Sequence, residues 1–325
     1  MLVQQYIEHI SKVKRYSQRT CAIYQDCLDG FYAYMKQSCP DASETECLDV
    51  QMVRSYEVHL MDERRLQART VNLHLSVLSG FCRYLIKNGI LQSNPVRLVT
   101  RPKEQKRLPV FYREDSMDSY MEETSASASE ENLELLVGKD DKLSDELFLR
   151  RQRRLIISLL YQTGLRRSEL IGLNVSSVDF SRKVIRVCGK GNKMREIPVL
   201  SSLCEEISLY LDAASSLIDD VYDPQQALLR TLKGARLYPV YVDRAVKREL
   251  EGVRGISGRR SPHVLRHTLA TELLDNGADL NSIKELLGHS SLSATQVYTH
   301  NSIEKLQKVY NNAHPRAKNG GNNGD

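Results

Sequence analysis

The 325-residue chain has no long apolar run. No stretch approaches the ~18 consecutive apolar residues of a membrane helix, so no spanning segment is expected. It opens on amphipathic sequence instead of a charged-then-apolar leader, which makes the cytoplasm the expected compartment. Its seven cysteines, at 21, 27, 39, 47, 82, 188 and 204, are odd in number and include no Cys-x-x-Cys pair. That spacing argues against a disulfide framework or a zinc site, and for small buried fillers. The chain also lacks a His-Glu-x-x-His pattern and any carboxylate cluster fit for a metal, so neither metal nor cofactor is expected. No internal repeat is visible.

What is present is charge, unevenly spread. Residues 113–147 hold twelve Asp/Glu against three Lys/Arg. That local net of −9, set against +5 for the whole chain, leaves +14 for the remainder. A basic body with one acidic patch suits a polyanionic partner, although charge alone fits a solvated surface equally well. The length suggests two domains, each able to bury its own core.

Residues 1–92 read as one helical domain. Tyr6, Ile10 and Val13, then Ile23, Leu28, Phe31 and Met35, recur at near-helical spacing. Ser17 is placed to cap the second helix and Cys39-Pro40 to end it. A third helix is expected from about 50 to 64 and a fourth from about 69 to 87, where Asn88-Gly89 gives a left-handed stop. Four such helices joined by short loops make a small α bundle. Residues 93–109 lose this periodicity and carry basic clusters, which predicts an extended linker.

Residues 110–318 form the second domain on this reading. Its acidic stretch 114–147 includes a low-complexity Ser/Ala run and is expected to be mobile, with little apolar area to bury. Helix resumes near 147–162, Gly164 interrupts it, and a short helix follows over 165–173. Residues 183–188 and 194–199 alternate as two strands of a hairpin. Further helices are expected near 201–216, 238–251, 262–276, 280–287, 291–299 and 302–312, with one short strand near 227–230. The Gly/Asn tail 319–325 is expected to be disordered. The fold class is therefore mostly α, with one small β element.

Chemistry concentrates late in the chain. Ser261-Pro-His263-Val-Leu-Arg266-His is followed by Leu287-Gly-His289 and, nine residues on, by Tyr298-Thr-His300. A further arginine stands upstream in Thr163-Gly-Leu-Arg166-Arg-Ser-Glu169. Two imidazoles, guanidinium groups and a phenol suggest a site that grips a phosphodiester and attacks it with tyrosine. A phosphodiester gains negative charge as a nucleophile adds, so positive donors must converge on its non-bridging oxygens. Arginine suits this task, being always charged and able to donate two parallel hydrogen bonds. Arg166 and Arg266 are the candidates.

His263 and Arg266, three apart on a helix opened by Ser261-Pro262, share a face, while His267 points elsewhere and reads as structural. Glu169 either orients Arg166 or forms a plain surface salt bridge with it. His289 sits at a helix C-terminus, where carbonyls favour a protonated ring. Tyr298 must lose its proton in the attack, since a free phenol has a pKa of ~10, and His263 and His289 are both available to help.

This Arg…His-x-x-Arg…His…Tyr series resembles the tyrosine recombinases, nearest the Xer type. Ser17…Thr20…Tyr24, Arg69-Thr-Val-Asn72, Asn94-Pro95 and Lys106-Arg-Leu-Pro109 resemble that family's core-binding domain and linker, so the likeness spans nearly the whole chain. It implies a helical DNA-clamping domain and an α-rich catalytic domain. It also implies six catalytic residues: Arg166, Lys190, His263, Arg266, His289 and the nucleophile Tyr298. Lys190, in the hairpin Gly-Lys-Gly-Asn-Lys, would protonate the leaving 5′-oxygen; Lys193 lies in the same loop.

The implied reaction is site-specific recombination through a 3′-phosphotyrosyl link, without ATP or metal, as in Xer chromosome-dimer resolution. The implied partners are duplex DNA, a homo- or hetero-tetramer with a related recombinase on two sites, and a septal DNA translocase. The C-terminal helix 301–312 has an apolar face, Ile303, Leu306, Val309 and Tyr310, which either packs on its own domain or, as the resemblance suggests, docks on a neighbouring protomer. A mobile-element integrase or DNA invertase would carry the same residues. A type IB topoisomerase would share the chemistry, and a DNA-binding protein without catalysis is the reading from a different class. The acidic stretch is the one departure from the family pattern.

Overall fold

The computed structural model describes residues 2–41, 43–104, 110–129, 142–189, 193–218, 223–288, 310 and 312–314. The chain divides into two compact units, Met1–Arg107 and Leu108–Asp325.

The first unit is built on four helices: α1 (Leu2–Lys12), α2 (Gln18–Ser38), α3 (Val50–Val58) and α4 (Ala68–Lys87). The Ser17 hydroxyl accepts from Thr20 N at 3.2 Å and starts α2; the Asp49 carboxylate accepts from Met52 N at 2.9 Å and starts α3. Gly89, at φ +72°, follows the end of α4. Leu28, Phe31, Val53, Leu75, Leu78 and Phe81 are fully buried between these helices. The apolar stripe of α2 runs through Cys21, Cys27, Leu28, Phe31 and Met35, which leaves Ile23 off it and exposed. Val13 lies past the end of α1 and is likewise exposed.

The expected extended linker is corrected in its first half. Asn94 caps a 3-10 turn over Pro95–Leu98, accepting from Val96 N at 3.2 Å. Val96 and Val99 are buried in the core of this unit. Further on, Asn72 Nδ2 donates to Pro102 O at 3.1 Å, and Arg101 Nη1 donates to Ser76 Oγ at 2.8 Å. Apolar valines and side-chain bonds to α4 hold the strand of chain down despite its basic composition. Residues 105–109 lie outside the described residues.

The second unit contains α5 (Glu114–Glu123), α6 (Lys142–Thr163), α7 (Arg167–Gly172), α8 (Ser201–Ile218), α9 (Pro239–Glu249), α10 (Pro262–Asp275) and α11 (Leu280–Leu287). Strands β1 (Val178–Asp179), β2 (Val184–Cys188) and β3 (Met194–Pro198) form one antiparallel sheet in the order β1-β2-β3. The hairpin read from the sequence is present, and β1 adds a two-residue edge to it. Near 227–230 there are only isolated bridges, Asn174 to Ala227 and Arg230 to Arg236. The fold is mostly helical with a small sheet, as expected.

Helix α6 forms the centre and packs on α8, α9 and α10. Every residue from Arg151 to Thr163 is buried, so that part of the helix has no solvent face and no amphipathic period. Several of its polar side chains are paired inside. Arg153 Nε meets Glu249 Oε1 at 2.6 Å, and Gln152 Nε2 donates to Tyr210 Oη at 3.1 Å.

The expectation of a mobile stretch over 114–147 is corrected at both ends. Met117, Tyr120 and Met121 stand at i, i+3 and i+4 on α5 and are buried in the core. Three apolar residues at that spacing are enough to bury one face of an acidic helix. Arg154 of α6 donates to Thr124 O at 2.8 Å and to Met121 O at 3.3 Å, which pins the helix end. Residues 142–147 belong to α6. Residues 130–141, the expected helix at 291–299 and the tail 319–325 lie outside the described residues. All seven cysteines are free, and five of them are buried. No described helix is long and apolar enough to cross a membrane.

Candidate active site

Of the six residues singled out, Arg166, His263 and Arg266 lie among the described residues; Lys190, His289 and Tyr298 lie outside them. The first step in building the site is the turn after α6. Gly164, at φ +62°, reverses the chain there, and its α-carbon is pressed against side chains of α10 and α11. The turn brings Arg166 to the N-cap of α7.

Glu169 organises this arginine. Its Oε1 accepts from Arg166 Nη1 at 2.7 Å and its Oε2 from the Arg166 backbone N–H at 2.8 Å. The carboxylate is buried, so of the two roles left open for Glu169 the orienting one fits, and the plain surface salt bridge does not. A second guanidinium grips the same carboxylate: Arg195 Nη1 and Nη2 each donate to one oxygen at 2.9 Å. Arg266, one turn after His263 on α10, donates from Nη1 to Gly164 O and from Nη2 to Leu287 O at 2.6 Å.

Arg195 Nε also donates to Leu286 O at 3.2 Å, and Arg166 Nη2 donates to Gly288 O at 2.8 Å. Three guanidinium groups therefore hold the carbonyls of residues 286, 287 and 288 in succession. These lie at the C-terminal end of α11, where carbonyls lack intrahelical partners and the helix dipole is negative. Gly288 closes the helix at φ +66°.

Burial would raise the Glu169 carboxyl, but the hydrogen bonds from Arg195 and from the Arg166 backbone prevail and hold it at about 2. Burial lowers Arg266 to about 10, the positive charges of Arg166 and Arg195 add to the fall, and Glu169 opposes it. Glu169 and Arg266 are thus ionised at neutral pH, and with the guanidinium groups of Arg166 and Arg195 three positive charges face one negative. A phosphodiester carries one negative charge and takes on more as a nucleophile adds, so the surplus of two positive charges suits that transition. Arg166 is the accessible member: its side chain is 34% exposed, while Arg195 and Arg266 are buried.

His263 is exposed on the first turn of α10, three residues before Arg266 and so on the same side of the helix. Arg167 is turned away and pairs with Asp243 of α9. Among the described residues no three His, Cys, Asp or Glu side chains cluster as a metal site.

Arg195 was not singled out from the sequence, although it carried a signal. On β3 it shares the buried face with Ile197, where strand alternation calls for an apolar residue. A charge in that phase must be paired inside. At the one residue of the C-terminal apolar face that is described, the structure follows the reading of packing on the chain's own domain and departs from docking on a neighbour. Tyr310 is buried in the core of its own unit, and its hydroxyl donates to Gln162 O at 2.8 Å. Ile303, Leu306 and Val309 lie outside the described residues.

Residues 128–305 match the phage integrase family, and residues 3–89 match the N-terminal SAM-like domain of phage integrases. The chain is 32% identical over 319 residues to the tyrosine recombinase XerC of Bacillus subtilis, covering 97% of this chain and 96% of that protein. It is 35% identical over 321 residues to XerC of Bacillus pumilus, covering 97% of each. In fold it is similar to the XerH site-specific recombinase bound to palindromic difH substrate, with TM-score 0.65, 20% identity, and 94% of this chain and 83% of that one covered. It is also similar to the Tn1549 transposon integrase in complex with a circular intermediate DNA, with TM-score 0.65, 17% identity, and 94% and 98% covered.

These likenesses are those of an enzyme of DNA strand exchange. The chain belongs to the phage integrase family, the tyrosine recombinases.

Proposed function

We propose that Tyr298 attacks a phosphodiester of duplex DNA, forming a 3′-phosphotyrosyl bond and releasing a 5′-hydroxyl. Arg166 and Arg266 hold the non-bridging oxygens as charge builds on them. His263 and His289 assist the phenol as general base or phosphate donor, and Lys190 protonates the departing 5′-oxygen. A 5′-hydroxyl from a second duplex then attacks the phosphotyrosine, so the bond count is conserved and no external energy source is needed. Four protomers on two sites, alone or with a related recombinase, complete the exchange in the cytoplasm.

The observation that carries this reading is the placement of Arg166 and Arg266 on the adjacent carbonyls of Gly288 and Leu287, with Arg166 open to a ligand. The near full-length similarity to XerC proteins supports resolution of chromosome dimers as the cellular role, with a septal DNA translocase as its activator.

The cellular role is tested by mapping covalent protein–DNA adducts across the genome. A single site near the replication terminus is the expected result. Adducts at the ends of mobile elements, or at invertible promoters, would overturn dimer resolution in favour of an integrase or invertase.

A further inference from the structure

We propose that Arg195 is a positioning residue for strand cleavage, fixing the Arg166 guanidinium through Glu169 and the end of α11 through Leu286 O. The inference rests on the reading of Arg166 as a phosphate donor. Arg195 lies opposite Val187 in the sheet, at a buried position of β3. A buried guanidinium is costly unless its donors are satisfied, and here they meet three acceptors on two other elements.

The grip on Glu169 is two-pronged, one nitrogen to each oxygen. The same two oxygens take the Arg166 side chain and backbone N–H. The carboxylate cannot rotate without breaking bonds to both arginines, so Arg195 sets the direction from which Glu169 presents itself to Arg166. It also sets the charge. Without Arg195, Glu169 would neutralise Arg166 alone, and the surplus of two positive charges would fall to one.

Two glycines mark how closely the surroundings fit this side chain. A β-carbon on Gly288 would lie 3.1 Å from the Arg195 guanidinium carbon, and one on Gly189 would lie 3.5 Å from its Nη1. The base of the β2–β3 hairpin, the start of α7 and the end of α11 therefore meet on one residue. The chain runs on from the first of these into Lys190 and from the last into His289.

The experiment is single-turnover trapping on a nicked suicide duplex, read beside DNA affinity and melting temperature. The variants are Arg195→Ala, Arg195→Lys, Arg166→Ala and the double alanine, with Arg186→Ala as control. Arg186 lies on β2 in an exposed ion pair with Asp179.

Arg195→Ala should cleave ~10²-fold more slowly, the scale for a small misplacement of a catalytic group, with DNA affinity within about 3-fold of wild type. The double variant should be no more than about 3-fold slower than the slower single, because both losses pass through Arg166. Arg195→Lys keeps the charge but not the two-pronged grip. It should fold, bind DNA and still cleave about 10-fold more slowly, which preserves the test if the alanine variant does not fold. Arg186→Ala should match wild type. Wild-type cleavage by Arg195→Lys or Arg195→Ala, or losses that multiply in the double variant, would overturn the proposal. Wild-type cleavage by Arg166→Ala would instead remove the reading on which it rests.

Discussion

The α-carbon of Gly164 stands so close to Leu287 that a β-carbon there would meet Leu287 Cδ2 at 2.5 Å and Leu269 Cδ2 at 3.1 Å. This contact wedges the turn before Arg166 between α10 and α11, and the Gly164 carbonyl takes a hydrogen bond from Arg266. Glycine is required twice over, for a positive φ and for space. Gly164→Ala should destabilise the protein by about 2–4 kcal/mol, combining left-handed backbone strain with overpacking. A clear fall in melting temperature is the expected result; an unchanged one would show that the turn is not wedged.

Arg166→Ala and Arg266→Ala should each slow cleavage by ~10² or more, the usual loss for one preorganised charge-stabilising donor. Arg167→Ala removes a partly exposed ion pair with Asp243 and should cost at most ~1 kcal/mol of stability, with little change in cleavage. Trapping rates on a nicked duplex distinguish the three. Equal losses for Arg166 and Arg167 would mean that both act by holding DNA.

Glu272, buried on α10, gives the protein a pH-dependent weakness. Burial raises its carboxyl to about 8, and the negative charges of Glu114, Asp118 and Asp275 push the same way, while the nearby Tyr161 opposes them. Below the ordinary carboxyl range both folded and unfolded chains hold the proton, and the group has no effect. Between about 4.5 and about 8 the unfolded chain ionises while the folded one does not, so stability falls as pH rises. Above that window the loss levels off. Glu272→Gln cannot ionise and should stabilise the protein by up to ~3 kcal/mol at pH 7, and hardly at all at pH 4. Denaturant melts at the two pH values check this; equal effects at both would contradict it.

DNA affinity should fall steeply with salt. Outside the acidic stretch 113–147 the chain carries +14, and neutralising phosphates releases counterions in proportion. Binding titrations from low to moderate salt should give a strongly negative slope of log affinity against log salt. A slope near zero would contradict a protein that tracks the duplex backbone.

The helices of the first unit were legible because each has one apolar stripe and a clear start or stop, as at Ser17 and Gly89. The strands β2 and β3 were legible through their alternation. Helix α6 showed a helical run but not its central place, since its part from Arg151 to Thr163 is buried on all sides and carries no period to read. Helix α5 was missed because its acidic composition outweighs three apolar residues in a local reading, and only α6 shows what they pack on. The arginines Arg166 and Arg266 stood out by motif. Arg195 did not, because its role depends on Glu169 and Leu286, both distant in sequence.

The central claim, that Tyr298 is the nucleophile, is tested most directly by Tyr298→Phe on a nicked suicide duplex. The substitution removes one oxygen and should leave DNA affinity nearly intact. Wild type should be trapped on the 3′-phosphate as a covalent adduct mapping to Tyr298, and the phenylalanine variant should form none. Undiminished trapping by Tyr298→Phe would place the nucleophile elsewhere and contradict the account.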